Sequence, residues 1–313
     1  MRPLSPILLL ALLAGIVGPA TGEPLAYVPN EKSATVSVID TATDQRRGDI
    51  VVGQRPRGAA SDAGHLYLTD AKSGSLLVVD TRSGKLERTV RIGDSPEGIS
   101  LSADGKWLAV AVEDDNSVVL LSAPEGREVA RIKVQGRNPE HAVFSPDGRW
   151  LYVSAEEAEQ VDIVDVAARQ QVGSIAVGKR PRGIGFLADG SRAYIACEMA
   201  GKVYAVDVAS RRVVAEISAG QYPNGVAVHP DGKRVYISNG RDGTVMAIDT
   251  ASNSVVATVE VGKRPWNMAL TPDGGKLYVA NGRSGSVSVI DTGSFKKLLD
   301  IDVGELPWGV SIR

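Results

Sequence analysis

The sequence predicts an all-β fold, a seven-bladed β-propeller with four antiparallel strands per blade. Three observations carry this. A proline preceded by V-G-x-x, or a near variant, recurs at Pro56, Pro96, Pro139, Pro181, Pro223, Pro265 and Pro307, at steps of 40, 43, 42, 42, 42 and 42 residues. The apolar-alternating runs after these prolines end in tight turns: SADG (102–105), SPDG (145–148), LADG (187–190), HPDG (229–232) and TPDG (271–274). Glycine takes the positive φ of such turns without strain. After residue 23 no 3.6-residue apolar period is sustained, so helices should be almost absent.

Within each repeat the elements follow in a fixed order. The run after the proline is the first strand. A second strand follows the x-Asp-Gly turn, as in LYVSA (151–155), AYIAC (193–197) and VYISN (235–239). The third ends in aspartate, as in VDIVD (161–165), VYAVD (203–207) and VMAID (245–249). Those aspartates (Asp40, Asp80, Asp165, Asp207, Asp249 and Asp291) read as turn residues accepting nearby backbone N–H bonds. A fourth strand, such as VVATVEVG (255–262), leads to the next proline. A period of about 40–45 residues holding four strands is a propeller blade.

The two ends of the chain complete the count. After Pro307 only residues 308–313 remain, enough for one strand. The N-terminus supplies three: LAYVPN (25–30), TVSVID (35–40) and GDIVVG (48–53). The C-terminal strand is therefore expected to join the N-terminal three, which closes the ring and removes free sheet edges. Residues 1–22 stand apart. Arg2, the apolar run Ile7–Val17 and the small residues after it have the form of a secretory signal, too short to span a bilayer. Residues 23–313 are thus expected to be one periplasmic propeller, with no membrane insertion once the signal is removed. The single cysteine, Cys197, allows no internal disulfide and reads as a small buried side chain. A net charge of −2 argues against nucleic acid as the main partner.

The repeats YVPN…VSVIDTAT (27–43) and LYVANGRSGSVSVIDT (277–292) resemble the YVTN-type β-propeller family over the whole mature chain. With the signal segment and seven evenly spaced copies, the chain looks most similar to the exported propellers associated with pyrroloquinoline quinone (PQQ)-dependent alcohol catabolism. That resemblance implies a place beside dehydrogenases that use PQQ with calcium or a lanthanide. It implies as partner a periplasmic dehydrogenase or a transport component.

Function is expected where equivalent positions differ. The loop before each proline and the turn between strands two and three should open on one face, around the channel mouth. The residue after each proline is Arg57, Glu97, Glu140, Arg182, Asn224, Trp266 or Trp308; the next is glycine except at His141 and Asn267. Four second strands end in Asn30, Asp70, Asn239 and Asn281, with Lys32, Lys72, Arg241 and Arg283 two residues on. Three consecutive blades instead place Glu113, Glu156 and Glu198 after an apolar residue, with Asp114 and Glu157 following in two of them.

One sector of the mouth thus collects Glu97, Glu113, Glu140, His141, Glu156 and Glu198. Crowded carboxylates repel one another, and a hard multivalent cation, Ca²⁺ or a lanthanide, would offset that cost. His141 could ligate or hold a carboxylate in place. Ion pairing with neighbouring arginines, or a protein-docking surface, remains open beside the metal. Arg57, Arg182, Trp266 and Trp308 could instead hold a planar anion such as PQQ by charge and stacking. The enzyme alternative, of lactonase or quinoprotein type, lacks a G-x-S-x-G nucleophile and a C-x-x-C-H haem site. Of the histidines, His229 falls in a turn of the opposite face and His65 precedes a strand, leaving His141 for acid–base work. The reading favours a non-enzymatic binder.

Overall fold

In the computed structural model, residues 24–313 are described; the expected signal segment, residues 1–22, lies outside them. They form 28 strands in seven four-stranded sheets. Each of six sheets runs through four consecutive strands, starting at a repeat proline: β4 (Pro56–Ser61), β8 (Pro96–Leu101), β12 (Pro139–Phe144), β16 (Pro181–Phe186), β20 (Pro223–Val228) and β24 (Pro265–Leu270). The seventh sheet joins the chain ends, in the order β28 (Ser311–Ile312), β1 (Leu25–Asn30), β2 (Thr35–Asp40) and β3 (Gln45–Val51). The last strand is shorter than residues 308–313 allow, and an isolated bridge between Asn30 and Pro307 extends the seam. The first strands of neighbouring blades touch all round the ring, β24 meeting β28 and β28 meeting β4.

Second and third strands are covered on both faces by the adjoining blades. They therefore read as continuous apolar runs, and LYVSAE-type segments are buried almost throughout. Outermost strands, such as QRRGDIV, face solvent and are polar. Cys197 is fully buried, and its thiol is pushed up to about 12 by burial. The aspartates ending the third strands accept backbone N–H bonds two or three residues on, as at Asp40 from Ala42 and Thr43, and Asp249 from Ser252. His65, expected just before a strand, is the first residue of β5 (His65–Asp70). No helix among the described residues is long and apolar enough to cross a membrane.

Glycine after the proline-plus-one position has a steric cause. A Cβ on Gly183 would lie 2.4 Å from the Asn224 carbonyl oxygen, and one on Gly225 would lie 2.4 Å from that of Trp266. Blades approach closest at this waist, so side chains fit there only where the neighbour gives way.

Candidate functional site: the mouth of the channel

Each mouth residue is aimed by one recurrent backbone clasp. The residue before the proline adopts left-handed φ at Ser95 (51°), Asn138 (62°), Arg180 (60°), Tyr222 (58°), Arg264 (56°) and Leu306 (54°). Such φ is costly for a side-chain-bearing residue and persists only when its surroundings hold it. Here the carbonyl of that residue accepts the N–H of the residue after strand two: Glu113 to Ser95 (3.1 Å), Glu156 to Asn138 (3.0 Å), Glu198 to Arg180 (2.8 Å) and Glu31 to Leu306 (3.0 Å). The first strand also shifts register just after each proline, the kind of irregularity that redirects side chains.

The result is a pocket of about 370 Å³, lined by Glu31, Glu97, Glu113, Glu140 and Glu156 and by Arg55, Arg57, Arg180, Arg182 and Arg264. Arg182 sits at its centre. Its guanidinium lies 2.6 Å from Glu140, 3.1 Å from Glu156 and 2.8 Å from Glu198. Arg264 reaches Glu198 at 2.6 Å, and Arg180 pairs with both Glu156 and Glu198. On the other side Arg57 pairs with Glu97 and with Glu31, and Arg55 with Glu31 at 2.5 Å. Burial alone would raise Glu140 and Glu198. The charges of Arg182 and the neighbouring cations, with the hydrogen bond from Arg182, together outweigh it, so both carboxyls lie below the usual range, and Arg182 in turn is raised.

With Glu198 included, six carboxylates face five guanidiniums. Among the described residues Glu113 is the mouth carboxylate in no ion pair. It accepts a hydroxyl bond from Ser95 at 2.9 Å. Burial pushes its carboxyl up, and the nearby Glu140 and Glu156 charges add to the shift. The folded chain therefore holds this proton more tightly than the unfolded chain. The resulting stability is present in acid and is lost as pH rises through the folded pKa. Glu113→Gln is expected to raise the melting temperature at neutral pH, by a margin that shrinks as pH falls towards about 4. A pH series of thermal melts on both proteins checks this; a margin that grows in acid contradicts it.

Of the six residues expected as a metal set, three converge. Glu113, Glu140 and Glu156 each offer an oxygen within 4.8 Å of the other two. Glu97 and Glu198 are drawn to arginines instead. His141 leaves the carboxylates altogether. Its ring stacks on Trp308, with centroids 5.5 Å apart and planes at 23°. It lines a separate cavity of about 140 Å³ together with Gly58, Gly98 and Asn267. His141 belongs to β12 and Trp308 leads into β28, three blades away, so the two rings meet across the channel. Burial pulls the imidazole down, and its Nδ1 is sealed with no hydrogen-bond partner among the described residues.

The expected anion set, by contrast, stays together: Arg57, Arg182, Trp266 and Trp308 all line the pocket. Arg57 and Arg182 are engaged by glutamates, Trp308 by His141, and Trp266 lies at the pocket edge over Gly282. Arg241 and Arg283 line an adjoining groove, not the pocket. Sequence comparison passes over Glu31 and Arg264. Glu31 follows Asn30 and is hidden by grouping that blade with those ending in Asn or Asp. Arg264 stands before its proline as Arg55 and Arg180 stand before theirs, but of the three only those two count among the mouth arginines in the sequence reading.

Comparison with known proteins agrees with this architecture. A profile described as "Lactonase, 7-bladed beta-propeller" matches residues 20–173 and 166–305. No curated protein matches the chain. Among solved structures, hydrazine synthase of Kuenenia stuttgartiensis is similar at 24% identity and a TM-score of 0.77, over 85% of this chain and 92% of that one. A functionally unknown protein from Desulfotomaculum acetoxidans is similar at 17% and 0.80, over 92% and 98%. Dihydro-heme d1 dehydrogenase NirN is similar at 17% and 0.68, over 91% and 74%. At these identities the structures speak for the fold, whereas the profile spans nearly all of the described chain, and the chain belongs to the lactonase-type seven-bladed β-propeller family.

Proposed function

We infer that the protein is a non-enzymatic, exported binding protein that holds a hard cation, calcium or a lanthanide, at the channel mouth. The observation that carries this reading is the uncompensated carboxylate of Glu113 beside Glu140 and Glu156, all three with an oxygen within 4.8 Å of the others. Hard cations take about six to eight oxygens, many from carboxylates, and waters complete such a shell. Arg182 occupies one oxygen of Glu140 and one of Glu156, so a cation would be met by Glu113 and by the second oxygens of its neighbours. The cation would offset the burial that raises Glu113 and relieve the repulsion from Glu140 and Glu156 that adds to it. His141 is set away from this pocket, which favours binding over acid–base turnover. The signal-like N-terminus supports a periplasmic location. The resemblance to propellers of PQQ-dependent alcohol catabolism supports a dehydrogenase or transport component as partner.

Isothermal titration of the mature protein with Ca²⁺, La³⁺, Zn²⁺ and PQQ tests this. Saturable heat with Ca²⁺ or La³⁺ is expected, weakened at least about tenfold in Glu113→Gln. That variant is expected to be more stable than the parent at neutral pH, so lost binding is not lost folding. Heat with PQQ alone would favour the small-anion alternative, and no heat with any of the four would leave a protein-docking surface. Lactone hydrolysis abolished in His141→Ala would return the protein to the enzymes.

A further inference from the structure

A second site lies on the opposite face, between the blades headed by β8 and β12. The internal repeats act as its controls. In three blades the first residue of strand two is a cation that reaches the next blade's carbonyl after its third-strand aspartate. Arg192 donates to Thr250 (2.6 Å), Arg234 to Thr292 (3.1 Å) and Lys276 to Thr41 (2.9 Å). Two residues on, tyrosines engage the left-handed turn residue of that same neighbour. Tyr194 bonds Asn253 at 3.0 Å, Tyr278 bonds Asp44, and Tyr236 stacks on Phe295 with centroids 5.6 Å apart. Each of these interblade clefts is thereby filled.

Strand β9 (Trp107–Val112) breaks both rules: Trp107 replaces the cation and Ala109 replaces the tyrosine. The matching turn residue of the next blade is Arg169 (φ 55°). Its counterpart one blade on, Arg211, covers the Trp150 ring at 4.7 Å. Arg169 makes no such contact and reaches only the Val129 carbonyl, at 3.4 Å. What is left is an apolar cleft of about 290 Å³ lined by Trp107, Leu120, Val129 and Val166, with Arg149 and Arg169 at its rim. Neither arginine is in an ion pair among the described residues. The guanidinium of Arg149 rests its face on Trp150, 4.5 Å from the ring centroid, with its N–H edge unpaired.

We propose that this cleft binds a small aromatic carboxylate. The ring lies beside the turn residue that tyrosines reach between other blades and packs on Trp107, and the carboxylate meets Arg149 and Arg169. A neutral ring lacks the second interaction; a small inorganic anion lacks the first. The site is independent of the channel mouth, and its test does not touch the cation reading.

Phenylacetate and its neutral analogue 2-phenylethanol are the probes, titrated into the mature protein while the Trp107 indole N–H resonance is followed by NMR, assigned by its loss in Trp107→Phe. Phenylacetate is expected to shift that resonance saturably and to bind about tenfold more tightly than the alcohol, with Arg149→Ala and Arg169→Ala each removing most of the difference. Ala167→Trp, at an exposed residue of the cleft wall, is expected to block binding in a protein that still melts cooperatively. An unmoved Trp107 resonance, equal affinity for acid and alcohol, or binding that survives Ala167→Trp each overturns the proposal.

Discussion

Arg182→Ala is expected to cost about 3–5 kcal/mol of folding stability, the usual penalty for removing one partner of a buried ion-pair network. Three carboxylates depend on this guanidinium: Glu140, Glu156 and Glu198, with side chains only 8%, 7% and 2% exposed. Without it Glu140 loses its ion-pair partner while buried, and Glu156 and Glu198 keep only Arg180 and Arg264. The pH dependence follows from the same pairing. Glu140 and Glu198 sit below the usual carboxylate range in the folded protein, so their contribution is present above the unfolded pKa and is lost as pH falls through the folded one. The deficit of Arg182→Ala is therefore greatest at neutral pH and narrows in acid, where protonated carboxylates need no cation. Arg182→Lys keeps the charge without the planar fork that spans three partners, and falls between. Denaturant unfolding at two pH values measures all three proteins. A neutral-pH loss under about 1 kcal/mol would mean that the pairs only break even with their desolvation cost.

Deleting residues 307–313 is expected to abolish the cooperative fold. The segment is short, but it carries the seam. It supplies β28, the bridge from Pro307 to Asn30, and the Trp308 N–H bond to the Pro29 carbonyl (2.9 Å). It also exchanges backbone bonds between Arg313 and Leu25 at 2.9 and 3.1 Å, and buries Val310 among Ala26, Val28 and Ala280. The Ser311 hydroxyl bonds that of Ser61 in the next blade at 2.8 Å. Losing these contacts opens the ring between β24 and β4 and exposes an apolar edge. The expected loss, about 5 kcal/mol or more, is comparable to the whole stability of many domains. Calorimetry and size-exclusion chromatography read the outcome. A sharp transition within a few degrees of the full-length protein would show that seven blades hold without the clasp.

The fold was legible because its cause repeats. Seven prolines at near-constant spacing, Asp-Gly turns and double-faced apolar strands are each required by the blade, and each recurs in the structure. The mouth was legible only as a location. Glu97, Glu113, Glu140, Glu156 and Glu198 do gather there with Arg57 and Arg182, as departures from the repeat imply. What they do to one another was not legible, because it depends on distances between blades. Arg182 is one residue in sequence from Pro181, yet it answers Glu140 and Glu156 of the preceding blade and Glu198 of its own. His141 shows the same limit. Its neighbour Glu140 turns to the pocket, while His141 pairs in register with Ser154 and its ring crosses to Trp308. Glu31 was overlooked because the residue before it obeys the repeat.

The meeting of His141 and Trp308 has a bearing on traffic. Two aromatic rings from opposite walls stand below the charged pocket, and Asn267 adds a bond to the Trp308 carbonyl at 3.4 Å. The pair bridges the channel beside the glutamates and arginines, so a ligand held among them would be exchanged at the mouth. A protein seated on that rim would then cover the opening of the pocket.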